Sequence, residues 1–179
     1  MTFATDTAPA LPAKVETPFQ RFVSDFAESS VAMAALATFA AVLFVALAAP
    51  LISPQNPYDL RQIDILDSRL PPGGESLTGM TFWLGTDGQG RDMLSAMFYG
   101  LRTSLFVGAM SGMFALVIGM CVGLSAAYFG GRVDTIIMRI VDLQLSFPAI
   151  LVALILLAVL GKGVDKIIIA LIAVQWAYY

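Results

Sequence analysis

The 179-residue chain is 58% hydrophobic and 13% charged, carries a formal net charge of -3, and contains one cysteine and no histidine. That composition, with a mean hydropathy of +0.81, excludes an ordinary water-soluble domain and a basic nucleic-acid binder. Without histidine, and with the lone Cys121 inside an apolar block, the commonest general base, the commonest zinc ligands and any intrachain disulfide are missing, so the chain does not read as an enzyme.

Residues 1–14 are rich in Ala, Pro and Thr, lack periodicity and read as a disordered tail. Phe19, Phe22, Val23 and Phe26 then recur at i, i+3, i+4 and i+7, which predicts a short interfacial helix leading into the membrane, so residues 1–29 form a tail and lead-in. Charge is absent from four blocks, 29–58, 103–131, 143–161 and 167–179. Within them apolar residues occupy every helical face, so their surroundings are lipid or other helices. A hydrocarbon core of about 30 Å needs around 20 residues at about 1.5 Å rise each, and the fourth block covers only about 20 Å. The expected fold is therefore all-α and polytopic, with three spans and part of a fourth: a first span at 30–52, then helices near 103–129, 143–161 and, incomplete, 165–179.

Between the first two spans, residues 53–102 hold ten of the chain's 23 charged residues and must lie in water. Ser53-Pro54-Gln55-Asn56-Pro57 cannot continue a helix, and Pro71-Pro72-Gly73-Gly74 interrupts the loop midway. The most distinctive stretch follows: Gly85, Thr86, Asp87, Gly88, Gln89, Gly90, Arg91 and Asp92 imply a specific turn. Its glycine spacing is that of a phosphate loop, but Arg91 and Asp92 stand where Lys and Ser or Thr would be needed, and two aspartates would repel a triphosphate. An EF-hand is excluded for want of alternating acids and a closing glutamate.

Asp92 can cap a helix along the interface, with Met93, Leu94, Met97, Phe98 and Leu101 at helical spacing and Arg102 on its polar flank. In the second span Gly108, Gly112, Gly119 and Gly123 form two small-xxx-small pairs near one face, a predicted packing surface. The connection 132–142 is amphipathic. Pro148 in the first turns of the third span removes a backbone donor and predicts a bend, with Asp142, Ser146 and Phe147 beside it as a possible gate or simple kink; Ser146 or water in a path would satisfy the freed group.

Trp83-Leu84-Gly85-Thr86-Asp87, then Gly90-Arg91-Asp92, Leu94-Ser95, Tyr99-Gly100, Leu101-Arg102 and Ser104-Leu105, resemble the hallmark segment of the dipeptide, oligopeptide and nickel permeases of ATP-binding cassette importers, specifically their C-type subunit. Ala49-Pro50, Pro57-Tyr58-Asp59-Leu60, Ala127-Tyr128-Phe129-Gly130-Gly131, Asp134, Met138-Arg139, Asp142 and Phe147-Pro148 follow the family's order of features, from about residue 20 onward. The chain departs from it at Ala96, where a basic residue is common, and in a nearly neutral lead-in. The resemblance implies a type I importer permease fold in the bacterial cytoplasmic (inner) membrane, cut off before the Glu-Ala-Ala loop that docks on the ATPase.

It further implies a B-type permease subunit, two cytoplasmic ATPases and an extracytoplasmic solute-binding protein as partners. ATP and magnesium would sit on the ATPases, with no cofactor or metal in this chain. It puts the N-terminus in the cytoplasm and the 53–102 loop outside, although six of the ten basic residues would then lie outside. The rival reading is a small non-transporting membrane protein, an assembly partner or regulator.

Overall fold

A computed structural model describes residues 17–179; the tail expected at 1–14 lies outside the described residues. The described residues divide into two compact units, one ending at Phe44 and the other running from Val45 to Tyr179. In the first, α1 (Pro18–Glu28) opens with a reciprocal cap. The Thr17 hydroxyl accepts from the Gln20 amide, the Gln20 side chain accepts from the Thr17 amide, and Pro18 occupies the first helical position, where its missing N–H costs nothing. Phe19, Phe22, Val23 and Phe26 make one exposed apolar face. Ser29 turns extended, and α2 (Ser30–Ile52) begins at once.

At 23 residues, α2 is about 35 Å long and uncharged, long enough to cross a bilayer. Pro50 sits in its last turn, where only one hydrogen bond is forfeited before the Ser53-Pro54 stop.

The second unit holds the long loop and the remaining helices. A 3₁₀ turn (Ile65–Asp67) precedes a two-residue antiparallel hairpin, β1 (Gly74–Glu75) with β2 (Thr81–Phe82), in the register Gly74 to Phe82 and Glu75 to Thr81. Then α3 runs unbroken from Met93 to Phe129, 37 residues and about 55 Å. The interfacial helix and the span expected to start at Thr103 are thus one helix. Composition changes at that point but the backbone has no reason to: there is no proline, and the Thr103 hydroxyl donates back to the Tyr99 carbonyl at 2.9 Å without leaving the helix. Gly130, at φ +56°, ends it.

The third span differs most from expectation. Residues 143–146 belong to α4 (Gly131–Ser146); Phe147 and Pro148 are extended, and α5 (Ala149–Leu160) leaves at 90°. Proline disfavours the helical conformation at the residue before it, and here Phe147 takes the extended one, so the predicted bend is a full break. With 12 residues α5 reaches only about 18 Å and does not cross alone. Two helices of the described residues, α2 and α3, are long and apolar enough to span a membrane, or three if α4 with α5 counts as one bent span. The chain closes with α6 (Val164–Gln175) and a 3₁₀ turn (Trp176–Tyr178).

Small residues build the interior. Ser111, Ala115, Gly119 and Ala126 of α3 are buried, as are Ala170 and Val174 of α6, the helix α3 packs on most extensively. Large apolar side chains face outward, Leu51 at 88% and Val159 at 81% exposure, an inversion that only a lipid environment makes favourable.

Candidate functional site

The residues singled out by sequence fall into a clamp around the start of α3, a helix seam, and the α4–α5 break. In the clamp, Asp92 is the N-cap of α3: its Oδ2 accepts from the Ser95 amide at 2.8 Å and the Ser95 hydroxyl at 2.6 Å. Gln55, just past α2, closes the other side. Its amide donates to the Ser95 Oγ at 3.2 Å, its Oε1 accepts from the Asp92 amide at 2.7 Å, and its Nε2 donates to the Gln62 carbonyl at 2.7 Å. Asp92, Ser95 and Gln55 are 1%, 0% and 3% exposed, so these bonds are made out of water, where an unmade one is costly. The Asp92 Oδ1 and the Ser53 hydroxyl are buried without a hydrogen-bond partner.

Thr86 and Asp87 organise the loop ahead of the helix. Thr86 donates its hydroxyl to the Asp67 carbonyl and accepts from the Leu70 amide at 2.8 Å, while its own amide donates to the Leu70 carbonyl. Asp87 Oδ1 accepts from the amides of Gln89 (2.8 Å) and Arg91 (3.0 Å). A carboxylate of the chain itself thus fills the concavity that a phosphate would need, which is the structural reason the glycine spacing is not a nucleotide loop.

Gly85 and Gly90 carry φ of +77° and +78°, and a Cβ on either would run into backbone carbonyls, of Leu70 and Asp64 respectively. Arg91 holds Asp87 at 4.0 Å and also donates to the Gln89 side chain; both ends of the ion pair are about one-third exposed. Gly100 has open space where a Cβ would be, and Arg102 is exposed with no ion pair.

In the seam, only one of the four predicted glycines is in tight contact. A Cβ on Gly119 would stand 2.8 Å from the Tyr179 Cβ and 2.5 Å from the Trp176 carbonyl, whereas Gly112 only reaches the Tyr179 hydroxyl at 4.0 Å and Gly108 and Gly123 meet nothing. The contact stripe is Ser111-Ala115-Gly119-Ala126, which shares Gly119 with the glycines and is offset from them by about an eighth of a turn; counting serine and alanine as small residues finds it.

At the break, Asp142, Ser146, Phe147 and Pro148 are all exposed. Ser146 donates to the Asp142 carbonyl at 2.6 Å, and the Gln144 carbonyl freed by Pro148 is met by the Phe147 amide at 3.4 Å. So neither Ser146 nor a water is required there. Asp142 makes no ion pair with Arg139. Gln144, which sequence gave no reason to select, donates from Nε2 to the Ala173 carbonyl at 2.9 Å and ties the end of α4 to α6. Among the described residues no group of acidic or cysteine side chains could hold a metal ion.

Two family models match the chain, the N-terminal TM domain of oligopeptide transport permease C over residues 17–72 and the binding-protein-dependent transport system inner membrane component over 115–179. The order of the two along one chain is decisive. The chain belongs to the C-type permease family of ATP-binding cassette importers.

It is 36% identical over 149 residues to a dipeptide transport system permease of Bacillus subtilis, covering 83% of this chain and 44% of the relative. It is 33% identical over 164 residues to a di/tripeptide transport system permease of Pseudomonas aeruginosa (91% and 53%), and 36% over 123 residues to a nickel transport system permease of Escherichia coli K12 (69% and 42%). The chain spans about half the length of the curated relatives it matches. These relatives are transport system permeases and the second family model describes an inner membrane component, in keeping with a mostly helical chain that carries membrane-length helices.

Proposed function

We propose that the chain is part of a permease subunit that moves dipeptides, oligopeptides or a related small solute such as nickel across the inner membrane. One observation carries this reading: permeases for peptides and nickel align with the chain through both the Gly85-to-Asp92 clamp and the helices after it. In this reading a B-type permease forms the other half of the pore and a solute-binding protein delivers cargo to the outward-facing 53–102 loop. Two cytoplasmic ATPases bind ATP and magnesium and drive alternating access, and this chain holds no cofactor.

The physical role of these residues is to guide and gate. The α3–α6 seam of small residues lets two helices move as one body. The Gln55-Asp92-Ser95 clamp fastens the segment just after α2 to the entry of α3. The α4–α5 break leaves irregular backbone at a depth where such backbone lines a cavity or packs on protein.

The test is co-expression of the full-length subunit with a B-type permease and an ATPase pair, followed by uptake into proteoliposomes supplied with the binding protein. ATP-dependent accumulation of a dipeptide, lost on disrupting the clamp with Gln55→Leu, is the expected result. A complex that never assembles, or assembles without cargo movement, removes the proposal.

A further inference from the structure

The loop forms a half-open cavity of about 200 Å³, room for six or seven waters at roughly 30 Å³ each, and Gln55 of the clamp contributes to its wall. Asp67, Ser76, Gln62, Met80 and Phe82 line it, and Arg61 stands at its exposed edge. Asp67 is only 6% exposed, and its Oδ2 accepts from the Ser76 hydroxyl at 2.6 Å. Among the described residues its Oδ1 has no hydrogen-bond donor, and no cation lies within ion-pair distance of the carboxylate.

A carboxylate this little exposed, with one oxygen free at the edge of an open space, has acceptor capacity to offer a ligand there. Phe82 (1% exposed) and Met80 supply an apolar wall, while the Gln62 side chain is held at the rim by the Asn56 amide and the Asp59 carboxylate. Anion at one end and hydrocarbon along the side is the complement of a primary ammonium on a short apolar stem.

We propose that this cavity is a binding site for a primary ammonium group carried on a short apolar stem, with Asp67 as its counter-ion. A lysine side chain of another protein and the free amino terminus of a peptide both present that chemistry. Arg61 is the chain's own competitor for Asp67, held back at the edge.

The experiment uses the full chain in a neutral detergent with ¹³C-methyl methionine, the Met80 resonance being assigned with Met80→Leu. The probes are n-butylammonium chloride and alanylalanine, with tetramethylammonium chloride and N-acetyl-alanylalanine as controls lacking a primary ammonium.

A saturable millimolar shift of the Met80 signal with either probe and none with the controls is expected. Preference for n-butylammonium indicates a lysine source, and preference for the dipeptide an amino terminus. Asp67→Asn should weaken binding at least about tenfold, with the Met93 and Met97 resonances reporting that the loop is still folded. Where that variant misfolds, Arg61→Ala decides, because removing the competitor should tighten binding by about threefold. No saturable shift, an equal shift with the controls, or weaker binding in Arg61→Ala overturns the proposal.

Discussion

Replacing Asp92 by alanine and by asparagine should give opposite answers about the clamp. Alanine removes the N-cap acceptor for the Ser95 amide, worth about 1 kcal/mol, and leaves the fully buried Ser95 hydroxyl without its acceptor, about 1 to 2 kcal/mol more. Together these predict a loss of roughly 2 to 3 kcal/mol for Asp92→Ala.

Asparagine keeps an oxygen in the Oδ2 position and is an N-cap as good as aspartate. It also exchanges the unpartnered, buried Oδ1 for a neutral amide, removing a charge that has no cation nearby. Asp92→Asn should therefore stay within about 0.5 kcal/mol of the parent or exceed it. The assay is equilibrium unfolding of the chain in mixed micelles with increasing dodecyl sulfate, followed by far-UV circular dichroism and by Trp83 emission with Trp176 changed to phenylalanine. Asparagine as damaging as alanine would refute the reasoning, since the negative charge and not the hydrogen-bond geometry would then hold the clamp.

Gly119→Val should displace the 3₁₀ turn at Trp176–Tyr178 from α3 and abolish a disulfide engineered between that turn and α3, while Gly123→Val, with open space around it, should leave the crosslink intact. Gly90→Ala combines a φ of +78° with a collision against the Asp64 carbonyl, a cost of at least about 2 kcal/mol, and should speed trypsin cleavage at Arg61 and Arg69; Gly88→Ala, which meets nothing, should not. Gln144→Leu removes the bond to the Ala173 carbonyl, about 1 kcal/mol in a bilayer, and should widen the distance between spin labels on α4 and α6. Pro148→Ala lifts the steric bar on helical Phe147 and should open the 90° angle between α4 and α5, read by spin labels at positions 140 and 155.

The helices were legible because charge is excluded from lipid, so its absence marks them without any knowledge of packing. The junction at Thr103 was misplaced because a change from amphipathic to uniformly apolar sequence alters what surrounds a helix and not its backbone; only glycine, proline or a cap does that, and none intervenes between Met93 and Phe129 except the tolerated Gly100 and later glycines. Pro148 announced a distortion, but whether it bends or breaks depends on what α5 meets, which is tertiary information. Asp92 as a cap could be read from its neighbours. Gln55, Gln62, Asp67 and Ser76 could not, because their partners lie 40, 7, 19 and 9 residues away and a polar residue in a loop has no periodicity to betray its role. The seam lies about an eighth of a turn from the glycine pairs because serine and alanine permit close approach as glycine does.

The length of α3 has a mechanical consequence. With no hinge between the clamp at Asp92 and the glycine pair at 130 and 131, it is a lever of about 55 Å, nearly twice the hydrocarbon thickness. Pivoting it by about ten degrees around its middle carries each tip roughly 5 Å in opposite directions. A small tug on one side of the bilayer is therefore felt as a comparable shove on the other, with no relay of side chains in between.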